Sequence, residues 1–308
     1  MRVLFWGTPE FAAAPLRALI GEGFEVAAVV TQPDKPQGRT RKMVAPPVKQ
    51  IALEEKIPCF QPATARDAEL GEMLSVMEPD ISVVVAYGHI LPKRIIDLPQ
   101  LGTLNIHASL LPALRGAAPI QAAIRQGLTE TGVSIMRMVP ALDAGPVIMQ
   151  APTQILDDET YGELQLRLSE VGALTLIEAL TLMSLGEAKE TPQDDSLATY
   201  APKVTRDDAK IDWTLDATEV SRTIRAYDPK PGSFTTRNGA DVKVFGPRVI
   251  KNTGGKPGQV ISADRELIVA AGNDAIRISD VQPSGRSRMT AAEWARGRGI
   301  SVGDILGT

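Results

Sequence analysis

The sequence predicts an α/β protein. A parallel sheet with helices on both faces is expected over residues 1–186, a polar linker over 187–205 and a small β-barrel over 206–308. Two observations carry this expectation. Through the first half, apolar runs of strand length alternate with segments of helical spacing, the pattern of successive strand–helix–strand units. After the polar stretch, several short β-like runs are separated by Gly, Pro and Asn clusters instead, as in a small closed sheet.

The elements follow in order. Arg2–Trp6 is a short apolar strand ending at Gly7. Glu10–Gly21 has helical spacing, with Phe11, Leu16, Leu19 and Ile20 on one side, and Phe24–Thr31 is β-rich through Val26, Val29 and Val30. A basic loop precedes a helix from Pro47 to Lys56, and Ala68–Met77 reads as another helix. Ile81–Ala86 holds Val83-Val84-Val85, the continuous apolar run of a strand buried on both faces. Thr103–His107 is the next strand, Ile120–Gln126 a helix, and Gly132–Val139 and Val147–Gln150 two more strands. Glu159–Leu185 is a long helix, and the polar run around Thr191-Pro192-Gln193-Asp194-Asp195-Ser196 is the linker. Beyond it come a helix at Thr218–Ala226 and β-runs at Val242–Phe245, Gln259–Ser262, Leu267–Ala270 and Ala275–Val281. Ligands of parallel sheets bind outside the carboxyl ends of the strands. Gly7, Tyr87-Gly88 and His107 all follow expected strands, so all lie at that edge.

With 44% apolar and 23% charged residues, the 308-residue composition is that of a globular protein. One cysteine, Cys59, excludes an internal disulfide framework and suits a reducing compartment. The first residues read as a strand rather than a signal peptide, and no run reaches the ~18 apolar residues of a membrane span. A cytoplasmic monomer with no membrane contact is therefore expected. The net charge of −4 argues against a generic nucleic-acid binder, but its distribution is uneven. From Arg206 onward 16 basic residues face 13 acidic ones, while the remainder holds 17 against 24. The more basic third permits a polyanionic partner without requiring one.

The chemistry concentrates in Leu104-Asn105-Ile106-His107-Ala108-Ser109-Leu110-Leu111-Pro112 and in Leu142-Asp143-Ala144-Gly145. Asn105 and His107 are two apart on a strand and so share a face. An imidazole moves protons near neutral pH, an amide donates to a developing oxyanion, and a carboxylate orients the imidazole or takes a proton through water. That set suits acyl transfer to an amine. On spacing alone an ordinary reading stands beside each: His107 as a satisfied structural histidine, Asp143 as a turn residue before Ala144-Gly145. No Gly-x-Gly-x-x-Gly follows the first strand, which excludes a dinucleotide oxidoreductase, and two histidines with one cysteine leave no evident metal site.

The whole string, with Arg115-Gly116-Ala117-Ala118-Pro119-Ile120-Gln121 after it, resembles the 10-formyltetrahydrofolate-dependent formyltransferases. Phe5-Trp6-Gly7-Thr8-Pro9-Glu10-Phe11, Thr31–Arg39, Val85–Pro92, Lys210-Ile211-Asp212-Trp213 and Ile224–Pro229 are most similar to the branch that formylates methionyl-tRNA. The resemblance implies a Rossmann-like catalytic domain, a linker and an OB-like C-terminal domain. It implies 10-formyltetrahydrofolate as formyl donor, no metal, and the amino group of initiator methionyl-tRNA as acceptor. Asn105, His107 and Asp143 match the catalytic trio, with Asn105 and protonated His107 steadying the oxyanion. Ser109, Leu110, Leu111 and Pro112 match the folate-binding stretch, and Tyr87, Gly88, His89, Ile90 and Leu91 would line the pterin pocket. The basic loop, with Arg39, Arg41 and Lys42, would meet the acceptor end of the tRNA, and Arg225 and Lys243 its backbone; Thr40 stands where a glycine is expected. Three competing readings keep parts of this: transfer to a small amine such as glycinamide ribonucleotide or an amino sugar, hydrolysis of the formyl donor, or a non-enzymatic RNA-binding module.

Overall fold

The alternation of apolar runs resolves into a seven-stranded sheet. Its strands are β1 (Arg2–Gly7), β2 (Glu25–Val30), β5 (Cys59–Phe60), β6 (Ile81–Val85), β7 (Thr103–His107), and the strands Glu130–Arg137 and Val147–Gln154. Their spatial order is Val147–Gln154, Glu130–Arg137, β7, β6, β1, β2, β5. The five strands from β7 to β5 are parallel. The last two add an antiparallel edge to this mostly parallel sheet: Glu130–Arg137 runs antiparallel to β7, and Val147–Gln154 antiparallel to it. The connection 138–146 is too short for the helical crossover that parallel neighbours need, so the chain returns as a hairpin.

A computed structural model describes residues 1–37 and 41–307. They form two compact units, the first holding Met1–Gly116, Glu130–Gln154 and Gln165–Tyr200, the second Ala117–Thr129, Ile155–Leu164 and Ala201–Thr308. In the first unit the pleat sends alternate side chains to opposite faces of the sheet. Leu4, Trp6, Ala28, Val30, Val84 and Tyr87 pack with Leu70 and Leu74 of α3 (Ala68–Ser75) and with Ile95 and Ile96 of α4 (Lys93–Ile96). On the other face Gly172 of α6 (Tyr161–Leu185) lies against Ile106 and Val133, and Ser169 Oγ donates to the Phe11 carbonyl at 2.8 Å. All five residues of β6 are buried. Each such aliphatic side chain contributes about 1.5–3 kcal/mol relative to exposure, so the strand ends that carry the polar residues stand on a rigid base.

α6 is long and apolar enough, by length and composition, to cross a membrane, which the sequence reading did not expect. Its contacts with β7 and Glu130–Arg137 make it a layer helix of the sheet. The expected helix Glu10–Gly21 divides into a 3-10 turn, Glu10–Ala12, and α1 (Ala13–Gly21), while α2 is Pro47–Glu54. The basic loop contains an unforeseen hairpin of β3 (Lys35–Gln37) and β4 (Lys42–Val44). Arg39 and Thr40, at its tip in sequence, lie outside the described residues.

The second unit is built on an antiparallel sheet of Ser233–Arg237, Ala240–Ile250, Ala275–Pro283, Leu267–Ala270 and Val260–Ala263, with Met289–Thr290 paired to Ala275–Pro283. Ser233–Arg237 is a strand the sequence pattern did not reveal. Trp213, Trp294, and Val220 and Ile224 of α7 (Ala217–Tyr227) join Val242, Val244, Ile276 and Ile278 in its core. Thr290 and Glu293 close a capping box on α8 (Ala291–Arg296). Within the same unit α5 (Pro119–Gln126) meets α7, where Arg125 bonds the Thr223 hydroxyl.

Candidate active site

β7 ends in the middle of the sheet, beside β6, with Asn105 level with Val84. Asn105 and His107 point to the face that holds Tyr87 and α4, where Thr103 Oγ1 donates to the Ile96 carbonyl at 2.7 Å. Asn105 is half-buried, and among the described residues its amide has no hydrogen-bond partner. Its N–H groups are thus available to a bound oxygen.

His107 is 5% exposed. Its Nε2 lies 3.0 Å from the Leu114 carbonyl, which can only accept, so Nε2 carries the hydrogen. Nδ1 faces Asp143 Oδ2 at 3.7 Å. Burial pushes the imidazole pKa down, opposed by the Asp143 charge and by the bond to Leu114. Desolvation is the largest of these, so the balance favours a neutral ring at rest, with its Nδ1 lone pair turned to a carboxylate.

Asp143 sits in the turn between Glu130–Arg137 and Val147–Gln154. Its φ is +47°, the left-handed region. The same Oδ2 that faces His107 accepts the Gly116 N–H at 2.8 Å. A side chain on Gly145 would run into the Arg137 carbonyl, so the turn closes only with glycine there. Gln193 Nε2 donates to the carbonyls of Asp143 and Gly145 at 2.8 and 2.7 Å.

The stretch after β7 is fixed from below. Ser134 Oγ donates to Ser109 O at 2.7 Å and accepts from Leu111 N–H at 3.0 Å. Gln150 Nε2 lies 2.9 Å from both Leu111 O and Ser134 Oγ. Ser109 and Leu111 are buried, Leu110 and Pro112 half-buried, and the Leu111–Pro112 bond is cis. After neighbouring β6, Tyr87 and Leu91 enter the core while Gly88, His89 and Ile90 stay exposed. The Tyr87 carbonyl accepts from Thr8 Oγ1 at 3.1 Å and from Gln32 Nε2 at 3.0 Å. A side chain at Gly88, φ +87°, would come 2.5 Å from Gln32 Nε2.

The structure therefore brings His107 and Asp143 together, with Asn105 on the same face of the same strand. The two apolar stretches expected to hold the formyl donor follow adjacent strands. The basic residues are dispersed. Arg41 and Lys42 are exposed on the hairpin, and Lys243 bonds the Pro231 carbonyl. Arg225 is only 9% exposed, its guanidinium donating to Glu159 O at 3.1 Å, which is an internal tether rather than an open phosphate contact. Sequence reasoning gave no role to Arg115, Gln193 or Thr199, all of which hold backbone around the trio. Their signal is faint: Gln193 and Thr199 are polar residues in a segment that reads as linker, and Arg115 is a lone cation in the string after Pro112.

The chain is similar to known proteins along nearly its whole length. Residues 1–180 match the model of the formyl transferase family and residues 203–299 that of the formyl transferase C-terminal domain. A protein of Methylococcus capsulatus named methionyl-tRNA formyltransferase is 46% identical over 309 residues, covering 100% of both chains. Among solved structures, HypX from Aquifex aeolicus in complex with tetrahydrofolic acid superposes with a TM-score of 0.71 at 20% identity. The match covers 95% of this chain and 46% of HypX, so this chain spans about half of that longer protein. Methionyl-tRNA formyltransferase from Clostridium thermocellum superposes with a TM-score of 0.59 at 15% identity over 92% and 98% of the two chains. Both structural likenesses speak to the fold. Two family models matched in order along the chain, and a relative identical at nearly half of all positions from end to end, establish that this chain belongs to the formyl transferase family.

Proposed function

We propose that the chain transfers the formyl group of 10-formyltetrahydrofolate to the α-amino group of methionyl initiator tRNA, readying it for translation initiation in the cytoplasm. The observation that carries the reading is the His107–Asp143 pair beside an unpartnered Asn105 amide, in a chain whose full-length relatives are named for that activity.

The neutral amine attacks the formyl carbon. As the new C–N bond forms, charge grows on the formyl oxygen, and the Asn105 amide donates to it. The attacking nitrogen becomes cationic and gives a proton to His107 Nδ1, the ring nitrogen left free by the bond to Leu114 O. Asp143, 3.7 Å away, balances the imidazolium. His107 then delivers the proton to the folate N10 as the C–N10 bond breaks, releasing tetrahydrofolate and the formylated amine. No covalent enzyme intermediate is involved.

In this reading Ser109, Leu110, Leu111 and Pro112, with Tyr87, Gly88, His89, Ile90 and Leu91, bind the folate. Arg39, Arg41 and Lys42 meet the acceptor end of the tRNA. Residues 1–186 carry the chemistry, 187–205 link, and 206–308 bind tRNA, with Lys243 among the phosphate contacts and Arg225 acting by holding Glu159 O rather than by touching RNA. The test is single-turnover transfer with initiator methionyl-tRNA, elongator methionyl-tRNA and glycinamide ribonucleotide in parallel. Fast formylation of the initiator alone is expected. Transfer to the small amine alone would overturn the tRNA assignment, and transfer to none would overturn the reaction.

A further inference from the structure

Gln193 lies 50 residues from Asp143 in the chain, in the segment that the sequence reads as linker. Its side chain spans two loads. Nε2 donates to the carbonyls of Asp143 and Gly145, and Oε1 accepts from Arg115 Nε at 3.1 Å and Nη2 at 2.8 Å. A guanidinium can only donate, so Oε1 must face Arg115, and both amide hydrogens must face the Asp143 turn. The orientation of the amide is therefore settled by Arg115. That guanidinium is itself 4% exposed and reaches Asp195 Oδ1 at 2.7 Å.

The turn needs such a hold. An aspartate adopts a φ of +47° only where its surroundings keep it there. The linker segment does not need Gln193 for its own attachment, because Thr191 and Val147 exchange backbone bonds of 2.8 Å in both directions. The same segment also reaches the other member of the pair. Thr199 Oγ1 accepts the Leu114 N–H at 2.9 Å and Thr199 O the Arg115 N–H at 2.8 Å. Leu114 O is the acceptor that fixes His107.

We propose that Gln193 is a positioning residue for formyl transfer: its two N–H donors, aimed by Arg115, hold the Asp143 turn so that the carboxylate stands opposite His107 Nδ1. The inference rests on the reading of Asp143 as the catalytic carboxylate. Gln193→Met keeps length and neutrality but removes both donors. Gln193→Glu keeps an oxygen for Arg115 while removing them. Single-turnover rate, KM for each substrate, pH dependence and thermal stability are measured for both.

Both variants are expected to lose between about tenfold and a hundredfold in kcat, the range for a misplaced catalytic group. KM should change by no more than about twofold, and the pH limb of the His107–Asp143 pair should move to lower pH as the carboxylate drifts from the ring. In an Asp143→Asn background, Gln193→Met should cost less than about twofold more, because the two residues act through one contact. Wild-type rate in both variants, loss in Gln193→Glu alone, or a full multiplicative loss in the Asp143→Asn background would each overturn the positioning role. Wild-type rate in Asp143→Asn itself would instead overturn the reading of Asp143.

Discussion

Replacing Asp143 by Asn deletes one charge and little else. Both its contact with Gly116 N–H, at 2.8 Å, and its approach to His107 Nδ1, at 3.7 Å, are made by the same oxygen, Oδ2. An asparagine keeps the Gly116 bond by turning its carbonyl oxygen to that position, so the turn retains its geometry and the imidazole loses only the field of the carboxylate. The two side chains are 6% and 15% exposed, which limits screening by water. At this separation and an effective dielectric of ~20, a unit charge is worth about 4 kcal/mol to an imidazolium. At ~1.4 kcal/mol per factor of ten, the step that charges His107 slows by about a thousandfold. The sign is definite: removing the negative charge lowers the His107 pKa further, so the pH limb of the single-turnover rate moves to lower pH as the plateau falls. The assay is formyl transfer from 10-formyltetrahydrofolate with enzyme in excess, from pH 6 to 9, with circular dichroism to check the fold. A plateau within about fivefold of wild type would refute the argument that Asp143 supports the charged ring.

His107 also links stability to pH. Burial holds its pKa below the ordinary value, so the unfolded chain takes up the proton first as the solution is acidified. The contribution of the neutral ring is complete above pH ~6.5 and is lost below it, at about 1.4 kcal/mol per pH unit, until the folded-state value is passed. Urea melts at pH 7.5 and 5.5 should show wild type losing more stability than His107→Gln; equal losses contradict this. Gly145→Ala drives a methyl group into the Arg137 carbonyl, and thermal melts should report destabilisation of about 2 kcal/mol or more. Tyr87→Phe removes a buried hydroxyl that has no hydrogen-bond partner among the described residues and whose pKa burial raises to about 12. Stability should hold or rise by up to ~1 kcal/mol, and the last tyrosine to ionise in an alkaline titration should vanish.

The strands Thr103–His107 and Leu267–Ala270 could be placed to the residue from sequence, because an apolar run bounded by Gly102 or by Ala271-Gly272 has few other folded uses. The shared face of Asn105 and His107 followed from the pleat alone. Approach of the Asp143 turn followed only from a family resemblance, since nothing local says that residue 143 returns to residue 107. The antiparallel return of Glu130–Arg137 was hidden by α5, whose helical signal imitates a crossover although it is counted with the other unit. Gln193 and Arg115 were hidden more deeply. The hydrogen bonds between them span 78 residues, and the Gln193 side chain, in a polar segment, looks the same whether it meets water or a carbonyl. Arg225 illustrates the converse, since a cation in an amphipathic helix is read as solvated until burial is known.

The gap between His107 and Asp143 has a consequence for timing. At 3.7 Å it is too long for a hydrogen bond, and in the resting state both facing atoms, Nδ1 and Oδ2, are acceptors. Two lone pairs in a poorly solvated pocket repel, so the pair has an unfilled demand for one proton. Desolvation disfavours that proton and the carboxylate favours it. Opposed, they leave the ring neutral in the free protein and ready to accept when a cationic nitrogen forms beside it. The same opposition lets the proton go again once the folate nitrogen begins to depart. An exposed histidine would feel neither influence strongly, and this is the physical reason to place a proton carrier of this kind at a buried strand end.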